Sequence, residues 1–248
     1  MRWLLLALFF PVLWGCKPYH TNSINGSYLS VSDSSIHHRT SEQIIFPYRD
    51  SLSKSMHRVI GYADTTMSSI KPQGLLGNFV CDLLLADIPA KPDFQFLQNE
   101  ICFSLLNTRG FRSTLAKGPV TVESIFNIMP FENTLLLVQM PQSSANAIAT
   151  SVLEKKGQPI SGNIHIKQTG DSTAELRYQN KPIDRDFWVI TTDYLVDGGD
   201  EMFFFSKAIK IIPVQLLLRD AIIQHIEQKQ KNGQSLNAQL DGRIEFSK

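Results

Sequence analysis

In residues 41–248, some apolar side chains recur at helical spacing and others form short continuous runs. No linker-like segment interrupts this part of the sequence. Leucine, phenylalanine and valine recur every three or four residues from Leu75 to near Asp87, which predicts an amphipathic helix. The run Thr134–Met140 is short, mostly apolar and closed by Pro141, as a buried strand would be. One uninterrupted segment that mixes both patterns predicts a single α+β domain of mixed sheet and helices.

Three further patterns support this class. Phe187–Leu195 is rich in β-branched and aromatic residues and predicts a strand. Residues from Val122 to Met129 predict a short helix, and the apolar spacing from Val214 to His225 predicts a long one near the C-terminus.

Composition excludes some classes of protein. Apolar residues make up 43% of the 248 residues and charged residues 19%, so the chain can bury a core. Lysine and arginine (24) nearly balance aspartate and glutamate (23), which argues against binding of a nucleic-acid polymer. Three cysteines cannot form a disulfide framework. Two of them, Cys81 and Cys102, are expected to be buried free thiols.

Residues 1–16 have the pattern of an export signal. Arg2 precedes an apolar run from Trp3 to Trp14, which as a helix would span about 18 Å, too little for the ~30 Å core of a bilayer. The segment ending in Gly15-Cys16 resembles a bacterial lipobox, in which the cysteine is lipidated and becomes the N-terminus. We therefore expect an exported protein anchored through Cys16 to the cell envelope, on its periplasmic or surface face. The alternative is a plain signal peptide with an incidental cysteine.

Residues 17–40 are rich in serine, threonine and asparagine and lack apolar periodicity. They predict a flexible tether that would hold the folded domain away from a membrane.

Candidate functional residues lie in the loops of the folded segment. Arginine side chains in the turn Asn107–Arg112 offer planar forks of donors that suit phosphate or carboxylate. The glycines of Gly198-Gly199-Asp200 permit a tight turn that sets Asp200 back beside the preceding strand.

These loops belong to a series of motifs whose order resembles the C-terminal domain of the 5'-nucleotidase family. The resemblance covers about residues 45–248. Each motif is unspecific by itself, but six in the same order make coincidence improbable. They are the Gly-Asn helix at Gly77-Asn78, the turn from Asn107 to Arg112, the step Gly118-Pro119-Val120-Thr121, the corner Pro130-Phe131, the loop Gly198-Gly199-Asp200 and the strand Gly242-Arg243-Ile244.

The resemblance implies a substrate-binding domain that holds the nucleoside part of a nucleotide. In the family two aromatic rings stack on the base, and those rings would be Phe131 and Tyr194 here. The aspartate of the Gly-Gly-Asp loop, Asp200, would contact the ribose hydroxyls. Without the resemblance, both rings would be interpreted as core aromatics.

The remaining implied contacts concern the phosphate and the base edge. Asn107 and Arg112 would line the side that faces the phosphate. Asp193 replaces a residue that is often asparagine in the family, which would alter how the base edge is recognised.

The chain also departs from the family pattern. Thr108 and Arg109 stand where the family turn usually has glycine, so Arg109 would either crowd a phosphate or supply a new contact to it. A family arginine upstream of the Gly-Asn helix has no counterpart, and Lys71 would replace it as a point charge.

The resemblance implies that the catalytic residues belong to a different domain. In the family, a dinuclear metal centre in an N-terminal metallophosphatase domain hydrolyses the phosphate ester, using Asp-x-His, Gly-Asn-His-Asp/Glu and Gly-His-x-His motifs. None of the six histidines of this sequence lies in an Asp-x-His or Gly-x-His setting. We therefore expect no catalytic residue, metal ligand or cofactor in this chain, and divalent metals only in a partner metallophosphatase.

Three functional hypotheses follow. The chain would be the nucleotide-recognition part of a 5'-nucleotidase, acting in nucleotide catabolism with a separate metallophosphatase chain. Alternatively, it is a stand-alone lipoprotein that binds a nucleoside or nucleoside monophosphate, or a degenerate interaction module without catalysis.

Overall fold

The structure is a computed structural model that describes residues 26–28 and 39–246. The predicted leader at residues 1–16, including Cys16, and most of the predicted tether at 17–40 lie outside the described residues. The first described helix begins at Arg39, inside the segment predicted as tether. The chain divides into two compact units, residues 1–47 and 48–248, and the described strands lie in the second. No described helix is long and apolar enough to cross a membrane.

The second unit combines α-helices, strands and short 3₁₀ turns. The α-helices of the described chain are α1 (Arg39–Met56), α2 (Leu75–Asp87), α3 (Val122–Ile128), α4 (Ala145–Glu154), α5 (Asp193–Val196) and α6 (Leu218–Lys231). The strands are β1 (Val59–Ala63), β2 (Cys102–Ser104), β3 (Gly118–Thr121), β4 (Thr134–Met140), β5 (Ile164–Gly170), β6 (Thr173–Tyr178), β7 (Lys181–Pro182), β8 (Phe187–Thr192), β9 (Lys210–Leu217) and β10 (Ile244–Glu245). The predicted α+β class is confirmed.

A four-stranded sheet in the order β2-β8-β4-β9 forms the centre of the fold. Strand β8 runs parallel to β2 and antiparallel to β4, and β9 is antiparallel to β4. Successive side chains of β4 point to opposite faces, so Leu135 and Leu137 enter one core while Val138 and Met140 enter the other. This alternation places a hydrophobic layer on each side of the sheet.

The two layers have different partners. One face packs against α2, α3 and α6, beside the two-stranded sheet β1-β3. The other packs against α4 and a second four-stranded sheet in the order β10-β5-β6-β7. Cys81 and Cys102 are free and buried, as expected, and burial raises the pKa of each thiol to about 12.

Two boundaries differ from the sequence predictions. The strand predicted at Phe187–Leu195 ends at Thr192, and Asp193 begins the short helix α5. The helix predicted from Val214 begins only at Leu218, because the preceding residues pair with β4 as the edge strand β9. The apolar spacing of residues 214–217 also fits a helix, but their pairing with the central sheet determines the structure that they adopt.

A charged cluster fastens the C-terminal segment to α2. The buried guanidinium of Arg243 donates to both carboxylate oxygens of Asp82 at 2.9 and 3.0 Å, to Asp241 at 2.7 and 2.8 Å, and to the carbonyl of Ile160 at 2.7 Å. These bonds raise the pKa of Arg243 despite its burial. Burial alone would raise the pKa of Asp241, but the bonds from Arg243 outweigh it and lower that pKa.

We predict that Arg243→Met destabilises the fold by about 2–3 kcal/mol at pH 7. Breaking one side of a buried ion pair costs about 3–5 kcal/mol, and the partial exposure of both carboxylates reduces that loss. Urea unfolding measures it. The matched control is Arg58→Met, which removes the more exposed pair with Glu227 and should cost about 0–1 kcal/mol.

The pH dependence has a definite sign. Because the folded-state pKa of Asp241 lies below its unfolded value, its contribution is present above that value and is lost as the pH falls. The stability difference between wild type and Arg243→Met should therefore shrink below about pH 4. A difference that is small at pH 7, or independent of pH, would contradict the role of this cluster.

Candidate functional site

The first loop of the site follows β2 and positions Asn107. A single 3₁₀ turn, Thr108–Gly110, comes directly after it. A Cβ atom on Gly110 would lie 2.8 Å from Oδ1 of Asn107, so a larger residue here would displace the Asn107 amide. As a result Asn107 is buried and its side chain is held in place.

The second loop follows β8 and positions Tyr194 and Asp200. Gly198 has a φ of 91°, in the left-handed region that favours glycine, and Asp200 adopts a φ of 48°. A Cβ on Gly199 would overlap both the ring and the carbonyl of Tyr194. The Gly-Gly pair therefore lets the chain fold closely around Tyr194 and return Asp200 beside it.

The two loops meet at the carboxylate of Asp200, whose side chain is only 12% exposed. Nδ2 of Asn107 donates to Oδ2 of Asp200 at 2.7 Å. The hydroxyl of Tyr194 lies 3.5 Å from Oδ1, and Nη1 of Arg109 lies 3.9 Å from the same oxygen. An ionised carboxylate only accepts hydrogen bonds, so Asp200 presents further acceptor capacity to a ligand hydroxyl.

A pocket of about 310 Å³ opens beside Asp200. Phe131, from the corner between α3 and β4, and Tyr194 both line it, and they are 40% and 46% exposed. Neither ring therefore belongs to the core. The guanidinium of Arg112 lies 5.9 Å from the centre of the Phe131 ring, within range of a cation–π contact. The pocket combines two accessible aromatic faces with a few fixed polar groups, as small-molecule sites do.

The structure brings five of the six binding residues named from the sequence to this pocket: Asn107, Arg112, Phe131, Tyr194 and Asp200.

Asp193 is not among the described residues that line it. Its Oδ1 instead accepts a hydrogen bond from the backbone N–H of Tyr194 at 2.7 Å, at the start of α5. Asn133, two residues beyond Phe131, lines the pocket and was not predicted, although its place in the Pro-Phe corner could have suggested it.

A second pocket of about 440 Å³ adjoins the first. The two share Arg109, Tyr194 and Asp200, so the Asp200 carboxylate lies at the boundary between them. Besides the shared Arg109 and Asp200, the second pocket is lined by Lys71, Lys155 and Glu201, so three basic side chains face two acidic ones.

The described residues do not fit a dinuclear metal centre. Within residues 26–28 and 39–246, no group of three or more histidine, cysteine, aspartate or glutamate side chains is placed to hold a metal ion. The carboxylate at the pocket, Asp200, bonds to Asn107.

Comparison with known proteins agrees with the motif order. Residues 59–143 match the family model of the 5'-nucleotidase C-terminal domain. The bovine 5'-nucleotidase is 26% identical over 172 residues, which are 60% of this chain and 30% of that protein. The human 5'-nucleotidase is 24% identical over 222 residues, or 79% of this chain and 37% of that protein. The chain thus spans about a third of the length of the curated relatives it matches.

Solved structures show the same fold at low sequence identity. The 5'-nucleotidase precursor of Thermus thermophilus aligns with 84% of this chain and 43% of its own, with a TM-score of 0.64 and 19% identity. The NAD nucleotidase of Haemophilus influenzae aligns with 84% of this chain and 41% of its own, with a TM-score of 0.60 and 14% identity. The resemblance predicted from the sequence is confirmed: the chain contains a domain like the C-terminal domain of the 5'-nucleotidase family.

Proposed function

We propose that this domain binds nucleosides and nucleoside monophosphates in the pocket between Phe131 and Tyr194. The observation that supports it most strongly is the convergence of two half-exposed aromatic rings and a fixed carboxylate on one pocket. Exposing two large rings at one pocket costs hydrophobic stabilisation, and a flat ligand stacked on them would recover it. The volume of about 310 Å³ is at the small end of the range for ligand pockets.

Each part of a nucleoside has a matching group in the pocket. The base would stack on Phe131 and Tyr194, and such stacking contributes about 1–3 kcal/mol per base. The ribose hydroxyls would donate to Asp200, which Asn107 holds in place. Because the carboxylate is fixed before the ligand arrives, binding spends little energy on ordering it.

We predict that Phe131→Ala and Tyr194→Ala each weaken nucleoside binding about fivefold to a hundredfold, because each removes one stacking face. Asp200→Asn should lower the preference for ribose over 2'-deoxyribose more than it changes the preference among bases. Isothermal titration with adenosine, guanosine, cytidine and uridine, and with their 2'-deoxy forms, measures both effects.

The matched control is Tyr62→Ala, which removes another half-exposed ring from β1 that lines neither pocket. It should leave binding unchanged. Binding that survives both Phe131→Ala and Tyr194→Ala, in variants that unfold at the wild-type temperature, would contradict the proposal. The interaction-module hypothesis would then be favoured.

We also propose that the domain acts in nucleotide catabolism by presenting nucleotides to a metallophosphatase on a separate chain. The supporting observations are the family resemblance and the setting of the six histidines, none of which lies in a metallophosphatase motif. The apolar run before Cys16 supports attachment of the protein to the bacterial envelope through that residue. A stand-alone nucleoside-binding lipoprotein is the alternative.

We predict that the purified chain does not hydrolyse nucleoside 5'-monophosphates above background with added divalent metals. Phosphate release is the measurement, and Asp200→Asn protein prepared in parallel controls for contaminating phosphatases. Protein extracted from native membranes should bring with it a chain that supplies metal-dependent hydrolysis. Turnover by the purified chain that Asp200→Asn abolishes would contradict the need for a partner.

A further inference from the structure

Helix α1 (Arg39–Met56) has an apolar face that it does not bury against the rest of the described chain. Because an α-helix turns once every 3.6 residues, Ile44, Tyr48 and Leu52 lie on one side of it, with Ile45 and Met56 beside them. Ile44, Tyr48 and Leu52 are 64%, 70% and 58% exposed. We call these five side chains the α1 apolar face.

The helix also contains a residue that weakens it. Pro47 lies in its middle, where a proline removes one backbone hydrogen bond and its ring crowds the preceding turn. Most helices in proteins are stabilised by packing an apolar face, and no residue of α1 is buried by the described chain. An external apolar surface would supply the stabilisation that this helix lacks.

The polar side of α1 is nearly neutral. Three basic side chains are balanced by two acidic ones: Arg39, Arg49 and Lys54 against Glu42 and Asp50. Nζ of Lys54 lies 2.9 Å from Oδ2 of Asp50, an ion pair between successive turns of the helix. Attraction by charge alone would therefore be weak, so the surface that binds α1 must be apolar itself.

The position of α1 in the sequence favours a membrane as that surface. The 22 residues 17–38 separate Cys16, proposed as the lipid anchor, from the start of the helix at Arg39. A flexible segment of this length spans about 25 Å on average, so the anchor would keep α1 within reach of the bilayer surface. Tethering at such a distance raises the effective concentration of the helix at the membrane.

We infer that α1 lies flat in the surface of a lipid bilayer with its apolar face inserted, an inference that rests on the proposed anchor and not on nucleotide binding. The helix is 18 residues long, and no described helix is apolar enough to cross a membrane. An amphipathic helix of this kind inserts one face at the boundary between headgroups and acyl chains. The ring of Tyr48 suits that boundary, because its hydroxyl can reach the headgroup layer. A fluid bilayer accommodates a convex helix face without a complementary groove.

The test measures flotation with lipid vesicles of the chain from Lys17 onward, which includes every described residue and has no acyl group. One set of vesicles is phosphatidylcholine alone, and the other also contains phosphatidylglycerol. Tyr48→Ser and Leu52→Ser each remove part of the α1 apolar face. The matched control is Phe46→Ser, because Phe46 is 64% exposed on the same helix but lies nearly opposite Tyr48 around its axis.

We expect wild type to float with both sets of vesicles and to stay bound at high salt, since apolar contact and not charge drives the binding. Tyr48→Ser and Leu52→Ser should each lower the partition coefficient about fivefold or more, because each removes apolar area from the inserted face. Phe46→Ser should change it by less than about twofold.

A second measurement uses the full chain bound to membranes. Cys81 and Cys102 are buried, so a cysteine introduced on the helix can be labelled selectively. A fluorescent label on Leu52→Cys should be quenched by lipids that carry a nitroxide more strongly than the same label on Phe46→Cys.

Three results would overturn the inference. Wild type that stays in solution with both sets of vesicles, together with equal quenching at the two labelled positions, would show that α1 does not insert. Binding only to phosphatidylglycerol that salt reverses would assign the attraction to charge. A dimer in solution that Leu52→Ser dissociates, without flotation, would assign the apolar face to a second copy of this chain. Titration of a nucleoside into the same protein tests the proposed function separately, so its success or failure is distinguishable from these results.

Discussion

The site depends on one hydrogen bond, from Nδ2 of Asn107 to the carboxylate of Asp200. These residues are 93 positions apart in the sequence, and each follows a strand of the same central sheet. Strands β2 and β8 are parallel neighbours, so the chain leaves both at the same edge, where the two loops meet. Asn107 compensates the largely buried carboxylate, whose desolvation would otherwise oppose folding.

This geometry gives Asp200 two roles. It lines both the pocket that contains Phe131 and Tyr194 and the adjoining pocket, which is lined by Lys71, Lys155 and Glu201. The tight turns at Gly110 and Gly199 hold Asn107 and Tyr194 in place, and the central sheet supports both loops. Binding groups on a rigid scaffold lose little entropy when the ligand arrives.

Much of this could be predicted from the sequence, and the physical reasons differ between fold and site. The strand Thr134–Met140 was predicted with its observed bounds, because a buried strand closed by proline has a clear local pattern. The last four residues of β9, 214–217, were wrongly predicted as helix, because their apolar spacing fits a helix and only the structure shows that this strand pairs with β4. Asn107, Phe131, Tyr194 and Asp200 could be named because motif order identifies a family.

Lys155, which lines the second pocket, could not be found in that way. It follows α4 in a segment that belongs to none of the motifs, and the packing of Gly157 on Pro72 brings this segment near Lys71. Asp193 illustrates the opposite case. Its position in the motif favoured contact with a base, but the early end of β8 turns its carboxylate to the N–H of Tyr194.

The most direct test of the binding site is a crystal structure of the protein with a bound nucleoside monophosphate. We expect the base between the rings of Phe131 and Tyr194, and a free ribose hydroxyl within hydrogen-bond distance of Asp200. A ligand bound away from Asp200, or a structure in which Phe131 and Tyr194 pack directly on each other and leave no space for a base, would contradict it.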